Sequence, residues 1–203
     1  VRSGLAHPAP GVRIQSLLTL GSLTAAAAVP DISRLIRDPE TDVGIAAVRA
    51  LRRIGSPAAG KACLAAAADV NVVPAELREQ CCLLLGEVGW KKAIPLLHRM
   101  MNQRIISPPK SPPSFDTDAC RAAAAHALFL MGADTPETVR ELKILFQSGP
   151  YIARKAAAAA LREFTGEPIF CPPRDTWKSW FVESLVKRPR SQSSSSPDKT
   201  SRE

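Results

Sequence analysis

A leucine returns at a fixed place five times along the chain, and this spacing constrains the fold more than any other feature. With Val12, Val43, Leu77, Cys120 and Ala153 as anchors, the residue eight positions on is Leu20, Leu51, Leu85, Leu128 and Leu161. Eleven positions on stand Leu23, Ile54, Val88, Met131 and Phe164, followed at once by Thr24, Gly55, Gly89, Gly132 and Thr165. Offsets 0, +4, +8 and +11 share one face of an α-helix, so each anchor opens a helix that buries that face. The +12 residue ends the helix, because glycine tolerates the left-handed conformation that closes a C-terminus. Turn and cap chemistry precedes three of the anchors as HPAPG, DPETD and DTDA. Asp, Thr and Pro there satisfy free amides and pre-set the first turn.

A second helix follows each Gly or Thr, near 26–37, 57–68, 91–102 and 136–147. Pro57 and Pro136 sit at the starts of two of them, where proline is tolerated. Leu35, Leu64, Leu96, Leu142 and Leu145 supply their apolar faces. The anchors lie 31, 34, 43 and 33 residues apart, and the long interval holds the insertion QRIISPPKSPPSFDT at 103–117. That segment reads as a surface loop whose PPKSPP run also suits polyproline II geometry. One hairpin of this size cannot bury its apolar face alone, and stacked hairpins make a continuous core. The expectation is an all-α, right-handed α-α superhelix of about five helical hairpins.

The stretch DPETDVGIAAVRALRRIGSPAAGKACL (38–64) resembles the bacterial HEAT-like repeat, also called the phycobilin-lyase-type HEAT repeat. The resemblance covers about residues 7–165 and implies an armadillo/HEAT-type solenoid. Gly44 stands where the motif usually has Arg, and Thr24 and Thr165 stand where it has Gly. TGEPIFCPPRDTWKSWFVESL (165–185) resembles the closing segment of such proteins, with Phe170, Trp177, Trp180 and Phe181 folding over the exposed end. The expected repeat domain spans 1–186. Its units lie near 7–37, 38–69, 72–102, 117–148 and 150–165, with a cap at 166–186. Residues 187–203, KRPRSQSSSSPDKTSRE, are expected to be a disordered basic tail, since they hold too little apolar area to offset ordering entropy.

Composition agrees with close helix packing. Aromatics make up only 5% of a 45% hydrophobic chain, and the abundant alanine combines helix propensity with small bulk. The five cysteines are odd in number and lack CxxC spacing, so they read as buried thiols of a reducing, cytoplasmic compartment. Residues 12–28 also carry the basic start, apolar stretch and Ala-rich end of an export signal, a reading kept beside the repeat. No apolar run is long enough for a membrane span.

No catalytic or metal-binding constellation emerges, and no cofactor is implied. The three histidines form no HExxH or His-x-x-x-His pattern, and no nucleophile elbow or P-loop occurs. The repeated Arg13, Arg78, Arg121 and Arg154 read as an inter-repeat ladder, each pairing with an acidic turn residue of a neighbouring unit. The resemblance implies that the second helices line the concave surface. Lys61, Lys91, Lys92, His98, Arg99, Arg140 and Lys143 would then face a partner there, and with a net charge of +8 that partner is a protein with an acidic segment. The leading expectation is a non-catalytic scaffold for protein–protein interaction. The alternatives are a nucleic-acid-binding module, as in HEAT-like DNA glycosylases, and a phycobilin-lyase-like enzyme or accessory protein.

Overall fold

Helices form wherever the leucine period places them. The computed structural model describes residues 1–102, 104–105 and 114–171. In chain order its helices are α1 (Pro10–Ser22), α2 (Val29–Arg34), α3 (Thr41–Ile54), α4 (Gly60–Ala68), α5 (Ala75–Glu87), α6 (Ile94–Asn102), α7 (Asp118–Leu130), α8 (Pro136–Ser148) and α9 (Tyr151–Thr165). α2, α4 and α6 are each entered through a 3₁₀ turn, at Ala26–Ala28, Pro57–Ala59 and Lys91–Ala93. The chain is an all-helical repeat solenoid over Val1–Phe170, in which α1, α3, α5, α7 and α9 stack as one row. α2, α4, α6 and α8 form the second row. Trp177, Trp180, Phe181 and the 187–203 tail lie outside the described residues.

All five offset +8 leucines are buried, the most exposed being Leu20 at 4%. Offset +11 behaves differently from the expectation. Leu23 is 65% exposed, and Ile54, Val88, Met131 and Phe164 are only half-buried. These residues sit on the last turn, where the chain bends towards the second helix and leaves them at the rim. Val12 is also 40% exposed, at the first helix of the row.

The helix stops explain the threonines. Gly55, Gly89 and Gly132 take φ values of 66°, 65° and 59°, and Thr24 takes the same left-handed role at 47°. Thr165 does not. It remains inside α9, and Gly166 closes the helix at φ 67°, so the fifth unit runs one residue longer than the period.

Small residues set the distance between first helices. A Cβ built on Gly21 would lie 3.0 Å from the Ala50 α-carbon, and one on Gly86 would lie 2.7 Å from the Ala127 α-carbon. α1 therefore meets α3, and α5 meets α7, almost backbone to backbone. The second helices of successive units touch only sparingly. The first helices are thus the closely packed row and the second helices the sparser one. Between α3 and α5 the glycine position holds Arg52, and that seam is the loosest in the row.

Gly44 occupies the place of the ladder arginine for a steric reason. Its Cβ would lie 3.0 Å from both the Ile36 carbonyl oxygen and Leu77 Cδ2. In the insertion, the backbone pairs as two short antiparallel strands, β1 (Arg104–Ile105) with β2 (Ser114–Phe115). The loop expected there is thus pinned at its base. PPKSPP lies outside the described residues.

Candidate protein-binding site

Turning the leucine face inward fixes what the first helices show on the other side. Offsets +6 and +10 point away from the second helices, onto the open face of the first-helix row. The +6 residues are Leu18, Arg49, Leu83, His126 and Ala159, and the +10 residues are Ser22, Arg53, Glu87, Leu130 and Glu163. None of the ten is buried. Leu18 and Leu130 are 40% and 42% exposed, and the His126 ring stacks on Phe129 at 5.9 Å between centroids.

These positions hollow into a groove of about 490 Å³ lined by Leu18, Arg49, Ala50, Arg52, Arg53 and Glu87. Arg52 spans the loose seam: its Nε donates to Glu87 Oε2 at 2.8 Å and its Nη1 to Gln80 Oε1 at 3.2 Å. The hydrogen bond from Glu87 raises the Arg52 pKa further, so this pair is internally neutral. Arg53 donates only to the uncharged Ser22 hydroxyl, at 3.1 Å. Arg49 is exposed and makes no ion pair among the described residues. The groove thus keeps two uncompensated positive charges beside an exposed leucine.

The repeated arginines lie at the opposite pole of the same helices, inside the stack. Arg13 and Arg154 are 9% and 4% exposed, and Arg78 and Arg121 are 4% and 6%. Arg78 binds Asp116 through both terminal nitrogens, at 2.5 and 2.9 Å, and its Nε donates to the Val73 carbonyl at 3.2 Å. Burial pulls the Arg78 pKa down, but the Asp116 hydrogen bond and charge prevail and hold it above the ordinary value. Arg13 Nη2 donates to Asp38 at 2.7 Å and its Nη1 to the His7 and Pro8 carbonyls. Asp38 and Asp116 both stand in the turn before the next first helix, so each arginine ties its unit to the following one. Arg121 instead reaches the Met101 carbonyl at 2.7 Å, and burial lowers its pKa. Asp69 follows the second helix of the unit where Gly44 removes the arginine, and it takes its cation from Arg37 at 3.0 Å.

The second-helix cations fall on the other face of the stack. Lys61, Lys91, Lys92, Arg99, Arg140 and Lys143 are exposed there. Lys92 sits over the Trp90 ring at 6.0 Å, and that ring packs on Gly60, where a Cβ would lie 2.5 Å from Trp90 Cδ2. His98 differs from the other six: its side chain is only 11% exposed and its Nε2 lies 3.0 Å from the buried Thr138 hydroxyl. It ties α6 to α8 and does not face solvent. Phe170 is 61% exposed.

Cys63, Cys81, Cys82 and Cys120 are buried between α4, α5 and α7. Burial leads in pushing the Cys120 thiol up to about 11 and raises Cys82 well above the usual range; the hydrogen bond with Cys63 does the same for Cys81, helped by burial. Neutral thiols at physiological pH are poor nucleophiles and poor metal ligands. Among the described residues, no group of His, Cys, Asp and Glu side chains is placed to hold a metal ion. Nor is any helix among them long and apolar enough to cross a membrane.

The groove residues do not repeat, so the leucine period does not mark them. The signal that does is the converse: offsets +6 and +10 change from each unit to the next while the +8 leucine never does.

An ordered stack of helical hairpins defines an α-solenoid repeat fold. Residues 1–75 match the family model of HEAT repeats. Its fold is similar to that of the complex of CpcE and CpcF of phycocyanin lyase from Nostoc sp. PCC7120, with a TM-score of 0.65 at 19% identity over 93% of this chain and 70% of that one. No curated protein matches the sequence.

Proposed function

We propose that this chain is a non-catalytic scaffold that holds a partner protein on its open first-helix face. The observation that carries this reading is the division of labour within each first helix. The buried side repeats leucine, alanine and arginine, whereas the solvent side changes residue from each unit to the next. A regular frame with an irregular exposed row provides one rigid surface with a specific pattern. The similar lyase structure is a complex of two chains, which favours a protein as the companion.

Likeness to that lyase also favours a second reading, in which the chain is a subunit or accessory protein of a bilin-lyase-type complex. The two readings share the need for a protein partner and part at chemistry. A lyase role predicts a pigment covalently attached to a client protein when the chain and its partner are supplied together. A scaffold role predicts a complex that forms with no covalent product.

Affinity purification of the tagged chain tests the proposal. A defined protein should copurify through moderate salt, survive Lys91→Glu/Lys92→Glu on the other face, and be lost on Leu18→Asp or Leu130→Asp. Retention of the partner by both leucine variants would overturn the placement of the binding face.

A further inference from the structure

We infer that the groove between α1, α3 and α5 is a carboxylate-reading subsite, taking an acidic side chain and an adjoining apolar one from a single segment of the partner. This rests on the protein-binding reading above and says what the partner presents.

The chemistry follows from which charges are already satisfied. Three arginines line the groove, and one of them, Arg52, is spent on Glu87 and Gln80. Arg49 and Arg53 stand four residues apart on α3, so their side chains leave the helix on one face, about 5–6 Å apart at Cβ. Arg53 is steadied by the Ser22 hydroxyl, which orients the guanidinium without neutralising it. Two guanidinium forks at this separation suit one carboxylate held from both sides, or two carboxylates one helical turn apart. Beside them Leu18 is 40% exposed and Ala50 is flush with the wall, so the floor takes a branched apolar side chain.

The surroundings favour an acidic peptide over a nucleic-acid backbone. Glu79 on α5 places negative charge at the next unit, and Glu163 does so on α9. A continuous phosphate chain following the first-helix face would meet them. A peptide bears its carboxylates singly and can turn an uncharged residue towards α5. The Arg52–Glu87 bridge also fences the site, setting a neutral wall beside Arg49 and Arg53.

Fluorescence anisotropy with the intact chain tests this. The probes are a labelled Leu/Glu dodecapeptide, its Leu/Gln and Leu/Lys counterparts, and a short DNA duplex. The Leu/Glu peptide should bind, weaken as salt rises, and outbind both counterparts and the duplex. Arg49→Glu/Arg53→Glu should weaken it at least about tenfold, and Arg49→Ala should do so part of the way, while Lys91→Glu/Lys92→Glu leaves it unchanged. Arg49 and Arg53 are exposed, and an unchanged melting temperature checks that the variants fold. Equal binding by wild type and the double variant would overturn the subsite while leaving a peptide-binding surface in place. No binding of the Leu/Glu peptide, or duplex binding that surpasses it, would overturn the acidic-peptide assignment outright. Copurification of a partner would still decide the scaffold reading separately.

Discussion

At the scale of single residues, the repeat shows where a side chain is tolerated rather than wanted. Thr24 is a β-branched residue at φ 47°, a conformation that costs an L-residue roughly 1–2 kcal/mol. Thr24→Gly should raise stability by about 0.5–1 kcal/mol in urea unfolding, after glycine's larger unfolded-state entropy is subtracted. Cys120 gives a pH expectation. Burial lifts its folded pKa to about 11, above the ordinary thiol value of 9.0, so it favours the folded state fully below pH 9 and loses that contribution as pH climbs through 11. Cys120→Ala should therefore flatten the alkaline limb of a stability–pH profile. The sequence made the leucine core and three of the glycine stops plain, since each depends on spacing alone. It hid the displaced stop at Gly166, because a one-residue extension of α9 leaves the local pattern of Thr165 unchanged. It hid the seclusion of His98 as well, because the hydroxyl that meets it belongs to Thr138, forty residues on.

At the scale of helices, two contacts decide whether neighbouring units fit. Gly86→Ala should gain helix propensity of up to about 1 kcal/mol, yet the added methyl would meet the α7 backbone at Ala127. Separating the helices costs about 1–3 kcal/mol, so the net change is a loss, visible as a lower melting temperature. Arg78→Ala should cost roughly 3–5 kcal/mol, because it leaves the Asp116 carboxylate, 3% exposed, without its cation. Arg37→Ala at the more exposed Asp69 pair should cost under about 1 kcal/mol. Comparing the two losses in chemical unfolding checks whether the ladder holds the units together where it is buried. The close packing of the first-helix row was not legible in the same way. It depends on Gly21 and Gly86 meeting Ala50 and Ala127 in three dimensions, and no single helix carries that information.

At the scale of the whole molecule, stability should be distributed along the stack and not concentrated in one core. Each unit leans only on its neighbours, so native-state hydrogen exchange should be slowest in α5 and α7 and fastest in the 3₁₀ turn Arg2–Ala6. Uniform protection from α1 to α9 would contradict a nearest-neighbour stack. The row of first helices is also not evenly knit. Gly21 and Gly86 bring their neighbours close, whereas α3 and α5 meet more sparsely and are fastened by a polar strut from Arg52 to Glu87 and Gln80. A ligand seated against Arg49 and Arg53 would lie beside that strut and add a second tie across the same pair of helices.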